Sequence, residues 1–143
     1  MEVIDLKNRV FSIIPLLLCI IAIALMVLPT SAYLAFADAP EERVNPDDRI
    51  IVFYSYFSLN LFGFAKFAPP ITACLSVVVA LLHCVGFLAK KALRKATLVM
   101  SYVCSVLAII SVLSLLRYPL LPSFIALLLI GSTVLCTFEK RVL

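Results

Sequence analysis

ATLVMSYVCSVLAIISVLSLL, residues 96–116, is followed after only Arg117 and Tyr118 by PLLPSFIALLLIGSTVLCTF, residues 119–138. Neither stretch contains Asp, Glu, Lys or Arg, and at about 1.5 Å of rise per residue each is long enough to cross a hydrocarbon core of ~30 Å. Two residues between them force an antiparallel helical hairpin. Working outward, residues 10–34 and 69–89 are two further apolar runs without an ionisable acid or base other than His83. The expected fold is therefore an all-α membrane protein, a bundle of four transmembrane helices over residues 10–34, 69–89, 96–116 and 119–138. All 143 residues form a single domain in this reading, with residues 35–68 as an outer loop.

Composition points the same way. The chain is 64% hydrophobic and 14% charged, and its mean hydropathy of +1.18 lies far outside the range of water-soluble domains. Basic residues divide unevenly among the connections. Lys7 and Arg9 precede the first run, Lys90, Lys91, Arg94 and Lys95 lie between the second and third, and Lys140 and Arg141 follow the fourth. The positive-inside rule places these segments, and so both termini, in the cytoplasm. Residues 35–68 carry Asp38, Glu41, Glu42, Asp47 and Asp48 and fall outside. Ala35-Phe36-Ala37 resembles the small-residue end of a secretory signal. The preceding apolar run is too long for one, and Glu2 and Asp5 dilute the basic start, so a retained span is expected at the plasma membrane.

The outer loop is too long to be structureless in so small a protein. Asn45-Pro46-Asp47-Asp48 is a turn-forming run, and Arg49 to Leu61 is dense in β-branched and aromatic residues. Together with Tyr33 to Asp38 it predicts a small extracellular β-hairpin between the first two helices. Alternation along the second strand then puts Ile51, Phe53, Ser55, Phe57 and Leu59 on one face and Val52, Tyr54, Tyr56, Ser58 and Asn60 on the other. Tyr54, Tyr56, Phe57, Phe62 and Phe64 are the candidate partner-binding residues. The Phe-rich segment 61–68 belongs at headgroup depth, with Lys66 reaching for the headgroups.

Association of helices in lipid depends on small residues and interhelical hydrogen bonds. Thr97, Ser101, Ser105 and Ala108 fall on one side of the third run, and Ala73, Ser76 and Ala80 on one side of the second. These stripes predict helix packing, either with each other or with the first helix. Gly131 and Ser132 give the fourth helix a close-approach point. The same hydroxyl-bearing face of the third helix supports an alternative reading, a small transporter or lipid-handling subunit. Lys90, Lys91, Arg94 and Lys95 are candidate contacts for anionic lipid headgroups, each worth ~1 kcal/mol near the surface. A short basic loop against the bilayer does not suit nucleic acid.

Chemistry is sparse. No Ser-His-acid set, paired intramembrane carboxylate, glycine-rich phosphate loop or C-x-x-C pair occurs. The five cysteines, Cys19, Cys74, Cys84, Cys104 and Cys136, all sit in apolar runs and read as small buried side chains. His83 is the single histidine, adjacent to Cys84 but about 100° from it on a helix, and by itself it makes no metal site. No cofactor and no enzymatic activity are expected.

The stretch Tyr54-Ser55-Tyr56-Phe57-Ser58-Leu59, continuing through Gly63-Phe64-Ala65-Lys66-Phe67-Ala68-Pro69-Pro70-Ile71-Thr72-Ala73, resembles a recurring pattern in small uncharacterised four-span membrane proteins of Gram-positive bacteria. That resemblance implies a bacterial membrane protein and carries no function. In layout the chain is also similar to claudin-like four-helix proteins, with a strand-bearing first outer loop and a short second one. It has no tryptophan and no loop cysteine, so the claudin loop motif is missing and only the layout is comparable. Small multidrug exporters need a glutamate in the first helix, and quinone-linked thiol oxidoreductases need paired cysteines; both are lacking. The leading expectation is a non-enzymatic interaction or accessory subunit in the bilayer, bound to another copy of itself or to another membrane protein through its aromatic outer loop.

A reporter enzyme active only outside the cytoplasm is expected to be inactive when fused after Leu143 and active when inserted between Val44 and Asn45. The reverse pattern would refute the assigned orientation.

Overall fold

A computed structural model describes residues 2–37, 49–63, 67–88, 94–115 and 120–142, with side chains over 13–34, 51–61, 67–86, 95–115 and 120–138. The elements in chain order are α1 (Glu2–Val27), β1 (Ala32–Ala37), β2 (Arg49–Tyr54), the single-turn α2 (Asn60–Gly63), α3 (Ala68–Leu88), α4 (Arg94–Ser114) and α5 (Leu120–Val142). Within α3, α4 and α5, the segments Ala68–Gly86, Lys95–Ser114 and Leu120–Phe138 are each long and apolar enough to cross a membrane. The apolar part of α1 described with side chains, Ile13–Val27, is shorter.

The four long helices form a bundle in which α1 packs on α3 and α5, and α4 packs on the same two. Its pattern of burial is the reverse of a soluble bundle. Leu17, Val106, Leu113 and Leu127 face outward at 50–65% exposure, whereas Ser76, Ser111 and Ser132 are at most 1% exposed. Apolar exteriors around a core rich in small hydroxyls are what hydrocarbon solvent selects.

The first apolar run does not remain helical to residue 34. Pro29 removes a backbone donor just beyond Val27 and disfavours helical geometry at Leu28. The chain turns through the Leu28 N–H to Leu25 carbonyl bond of 3.2 Å and the Ser31 N–H to Leu28 carbonyl bond of 3.0 Å. Ser31 also donates its hydroxyl to the Met26 carbonyl at 3.0 Å, satisfying one of the carbonyls a helix leaves open at its end. The freed residues then become β1.

β1 and β2 pair antiparallel, from Ala32 opposite Tyr54 to Ala37 opposite Arg49, so the predicted hairpin strands are present. The intervening turn-forming run lies outside the described residues. β2 is shorter than expected, ending at Tyr54 rather than continuing toward Leu61. The cause is Tyr56, whose backbone N–H is shared between the Met26 carbonyl and Ser31 Oγ, both at 3.0 Å. That bond pulls the chain off the strand and onto the end of α1, so strand alternation stops before Phe57. Tyr56 is consequently buried, at 1% exposure, in one core cluster with Met26 and Leu61.

Tyr56→Ala is expected to destabilise the protein by about 3 to 5 kcal/mol, the usual range for a fully buried aromatic, and Tyr54→Ala by much less. Thermal unfolding in detergent followed by circular dichroism checks the contrast.

Candidate functional site

Two regions carry the predicted site residues, the hairpin end of the bundle and the seams between its helices. At the hairpin end, Tyr54 is half-buried and Phe57 is exposed. Tyr56 corrects the expectation, because its side chain is a core element and unavailable to a partner. Burial holds its phenol above the ordinary tyrosine pKa, in keeping with a ring sealed from water. The side chain of Phe62 and the whole of Phe64 lie outside the described residues. Sequence reasoning did not select Phe53, Leu59 and Phe67 as partner contacts, yet they are 46%, 79% and 49% exposed. Strand alternation along β2 was the signal that pointed to Phe53; Leu59 and Phe67 lie beyond the strand.

Along the bundle, Ala73, Ser76, Ser101, Ser105 and Ala108 are buried and Ala80 is half-buried. The partner of the α4 stripe differs from those expected, whereas the α3 stripe meets the first helix, one of the two expected. On α4, Ser105 bonds Thr133 of α5 at 2.7 Å, and Thr133 donates to the Ser101 carbonyl at 3.2 Å. The predicted stripe of α4 therefore meets the fourth run over this length, not the first or second. Contact with α3 comes from the neighbouring Ser111, which bonds Thr72 at 3.1 Å. Ser76 of α3 turns instead to Met26 of α1, 3.5 Å from its sulfur. On α5, Ser132 donates to the Pro15 carbonyl at 3.0 Å and lies 3.3 Å from Cys19 Sγ. A methyl built at Gly131 would sit 3.7 Å from Leu18 Cδ1, ordinary contact, so the α1–α5 approach depends on Ser132 more than on the glycine.

These hydroxyls bond each other and backbone carbonyls, leaving one buried side-chain oxygen unpartnered among the described residues, Ser101 Oγ. At the end of the bundle away from the hairpin, His83 Nε2 of α3 lies 3.6 Å from Cys136 Sγ of α5. All five cysteines are thiols, and Cys74 and Cys84 correct the expectation of burial by lying exposed on α3. No group of three or more His, Cys, Asp or Glu side chains positioned for a metal ion occurs among the described residues. Of the basic cluster, Lys90 and Lys91 lie outside the described residues, Arg94 opens α4 with its side chain undescribed, and Lys95 is exposed.

Comparison of the chain with protein-family models, with curated proteins and with solved structures returns no match. Its function must be argued from its own residues.

A double-mutant cycle on Ser105→Ala and Thr133→Val is expected to give a coupling of about 0.6 kcal/mol, the average for interhelical hydrogen bonds in membranes, and no more than about 1.7 kcal/mol. Denaturation in mixed micelles measures it, and a coupling near zero would show that the two hydroxyls act only through their size.

Proposed function

We propose that the chain is a non-enzymatic four-span protein of the bacterial plasma membrane that binds another membrane protein, or a second copy of itself, through its hairpin end. In this reading α1 supplies the fourth span, both termini lie in the cytoplasm, and the hairpin is extracellular. One observation carries it: Phe53, Phe57 and Leu59 stand exposed on a segment that Tyr56 anchors to the core. Aromatic and aliphatic side chains held on an ordered support are favourable contact residues, because little conformational freedom is left to lose on binding.

The hydroxyl network weighs against a solute path through the bundle. Thr72, Ser105, Ser111, Ser132 and Thr133 are engaged with neighbouring helices, whereas a transport route needs polar groups turned toward a lumen. The same side chains are accounted for as the adhesive of the bundle.

Phe57→Asp combined with Leu59→Asp is expected to reduce a co-purifying complex from the native membrane about tenfold or more, in line with loss of a hot-spot contact, while the helical circular dichroism stays unchanged. Undiminished recovery of the complex would overturn the proposal.

A further inference from the structure

Two hydroxyls meet on an exterior made largely of Leu, Ile, Val and Phe. Tyr102 of α4 is 47% exposed and its hydroxyl lies 3.1 Å from that of Thr137 of α5, across the outer edge of the α4–α5 seam at the end of the bundle away from the hairpin. Thr137 gives its own proton to the Thr133 carbonyl at 2.9 Å. The proton between the pair is therefore that of Tyr102, with Thr137 Oγ1 accepting it. An entering oxygen acceptor can take that proton while Thr137 stays bonded on its own helix, so the exchange orphans no donor.

Lys95 lies two turns before Tyr102, ~10 Å along α4. It is exposed, and no hydrogen bond or ion pair of Lys95 occurs among the described residues. At helical spacing Lys95, Tyr102, Val106 and Leu113 fall within about 40° of one another, and all four are exposed. Long side chains on a helix lean toward its N-terminus, which brings the Tyr102 hydroxyl toward Lys95. The stripe thus runs from a cation at the helix end, through a hydroxyl donor, to apolar side chains, and the exposed Val134 of α5 lies one turn before Thr137. We propose that the outer α4–α5 seam binds one anionic phospholipid. Lys95 holds its phosphate, a phosphate or ester oxygen accepts from Tyr102, and an acyl chain runs along Val106, Leu113 and Val134.

Charge selects the class of lipid. Residues 94–102 and 137–142 contain Arg94, Lys95, Lys140 and Arg141 against Glu139 alone. Glu139 is two residues from Thr137 and so about 200° round α5 from it. Glu2 and Asp5 belong to α1, which packs on α3 and α5 while α4 packs on the same two, so they are diagonal from Lys95. A basic helix end of this kind attracts an anionic headgroup and repels the ammonium of a zwitterionic one. A lipid also meets the cation, the donor and the apolar stripe in one molecule, which free phosphate does not. The inference needs the bundle to stand in a bilayer and is independent of what the hairpin binds.

Native mass spectrometry of the detergent-purified full chain, titrated with phosphatidylglycerol or with phosphatidylcholine of the same acyl chains, tests the site. One phosphatidylglycerol is expected to be retained in preference to phosphatidylcholine. Lys95→Gln should weaken it about fivefold, and Tyr102→Phe, which keeps the ring and removes the donor, about as much. Thr137→Val leaves the donor in place and should retain the lipid at least as well as the parent; weaker retention there would overturn the role of Tyr102. An effect of Lys95→Gln with none from Tyr102→Phe would reduce the site to general attraction by basic residues and overturn it, as would equal retention of the two lipids. Excess glycerol 3-phosphate should not displace the lipid, and displacement would reject a lipid in favour of a free phosphate ester. Should a variant fail to fold, spin-labelled lipids in bilayers containing the parent chain decide the matter. A larger motionally restricted fraction for phosphatidylglycerol than for phosphatidylcholine supports the site, and equal fractions reject it.

Discussion

Outward faces made of Leu, Ile, Val and Phe leave the hydroxyls in the seams between these helices to find their partners inside the bundle. The result is a set of seams, each fastened differently. Ser132 ties α5 to α1 through a backbone carbonyl, Ser105 and Thr133 tie α4 to α5 through paired hydroxyls, and Thr72 with Ser111 ties α3 to α4. At the α1–α3 seam Ser76 shares its hydroxyl proton between the Ala73 carbonyl of its own helix at 2.8 Å and the Met26 sulfur at 3.5 Å. In hydrocarbon the apolar side chains gain nothing by clustering, so small volume and these bonds are what choose the neighbours. Each bond is modest, and the bundle depends on having one in every seam.

The same economy appears where the bundle ends. Ser31 closes α1 by donating to Met26 while accepting from the backbone of Tyr56, so a single hydroxyl joins the helix end, the start of β1 and the exit from β2. The hairpin is consequently an extension of the core and not a tethered loop. That rigidity gives the exposed Phe57 and Leu59 their meaning, because a fixed apolar surface binds at lower entropic cost than a mobile one.

Much of this architecture was legible in the residues. Absence of charge located α3, α4 and α5 within a few positions, β-branched and aromatic density located β2, and the turn-forming run before it placed its partner β1. The first misreading came at Pro29, where hydropathy continued to residue 34 but backbone chemistry did not; an apolar run reports solvent preference and is silent about φ and ψ. Tyr56 was misplaced because alternation assumes an uninterrupted strand, and the hydrogen bond its N–H donates to the Met26 carbonyl, thirty residues away in the chain, broke it. Seam partners were illegible for a similar reason. A stripe of Ser101, Ser105 and Ala108 shows that a helix face is packed, but which neighbour it meets depends on rotation of the whole helix. The nearness of His83 and Cys136 was hidden likewise, since 53 residues separate them and no local spacing links them.

The apolar stretch Ile13–Val27 of α1 continues into uncharged sequence at both ends. Uncharged Val10, Phe11 and Ser12 extend it at one end. At the other, Ser31, Ala32, Tyr33 and Leu34 are nearly sealed, at 0–6% exposure, though no longer helical. Irregular backbone is tolerated at membrane depth only where protein buries it and satisfies its polar groups. The turn after α1 meets both conditions, with Leu28 and Ser31 bonded along the chain and β1 paired to β2. The run stays apolar over residues 28–34 although the helix has ended, because the hairpin buries that backbone and satisfies its polar groups.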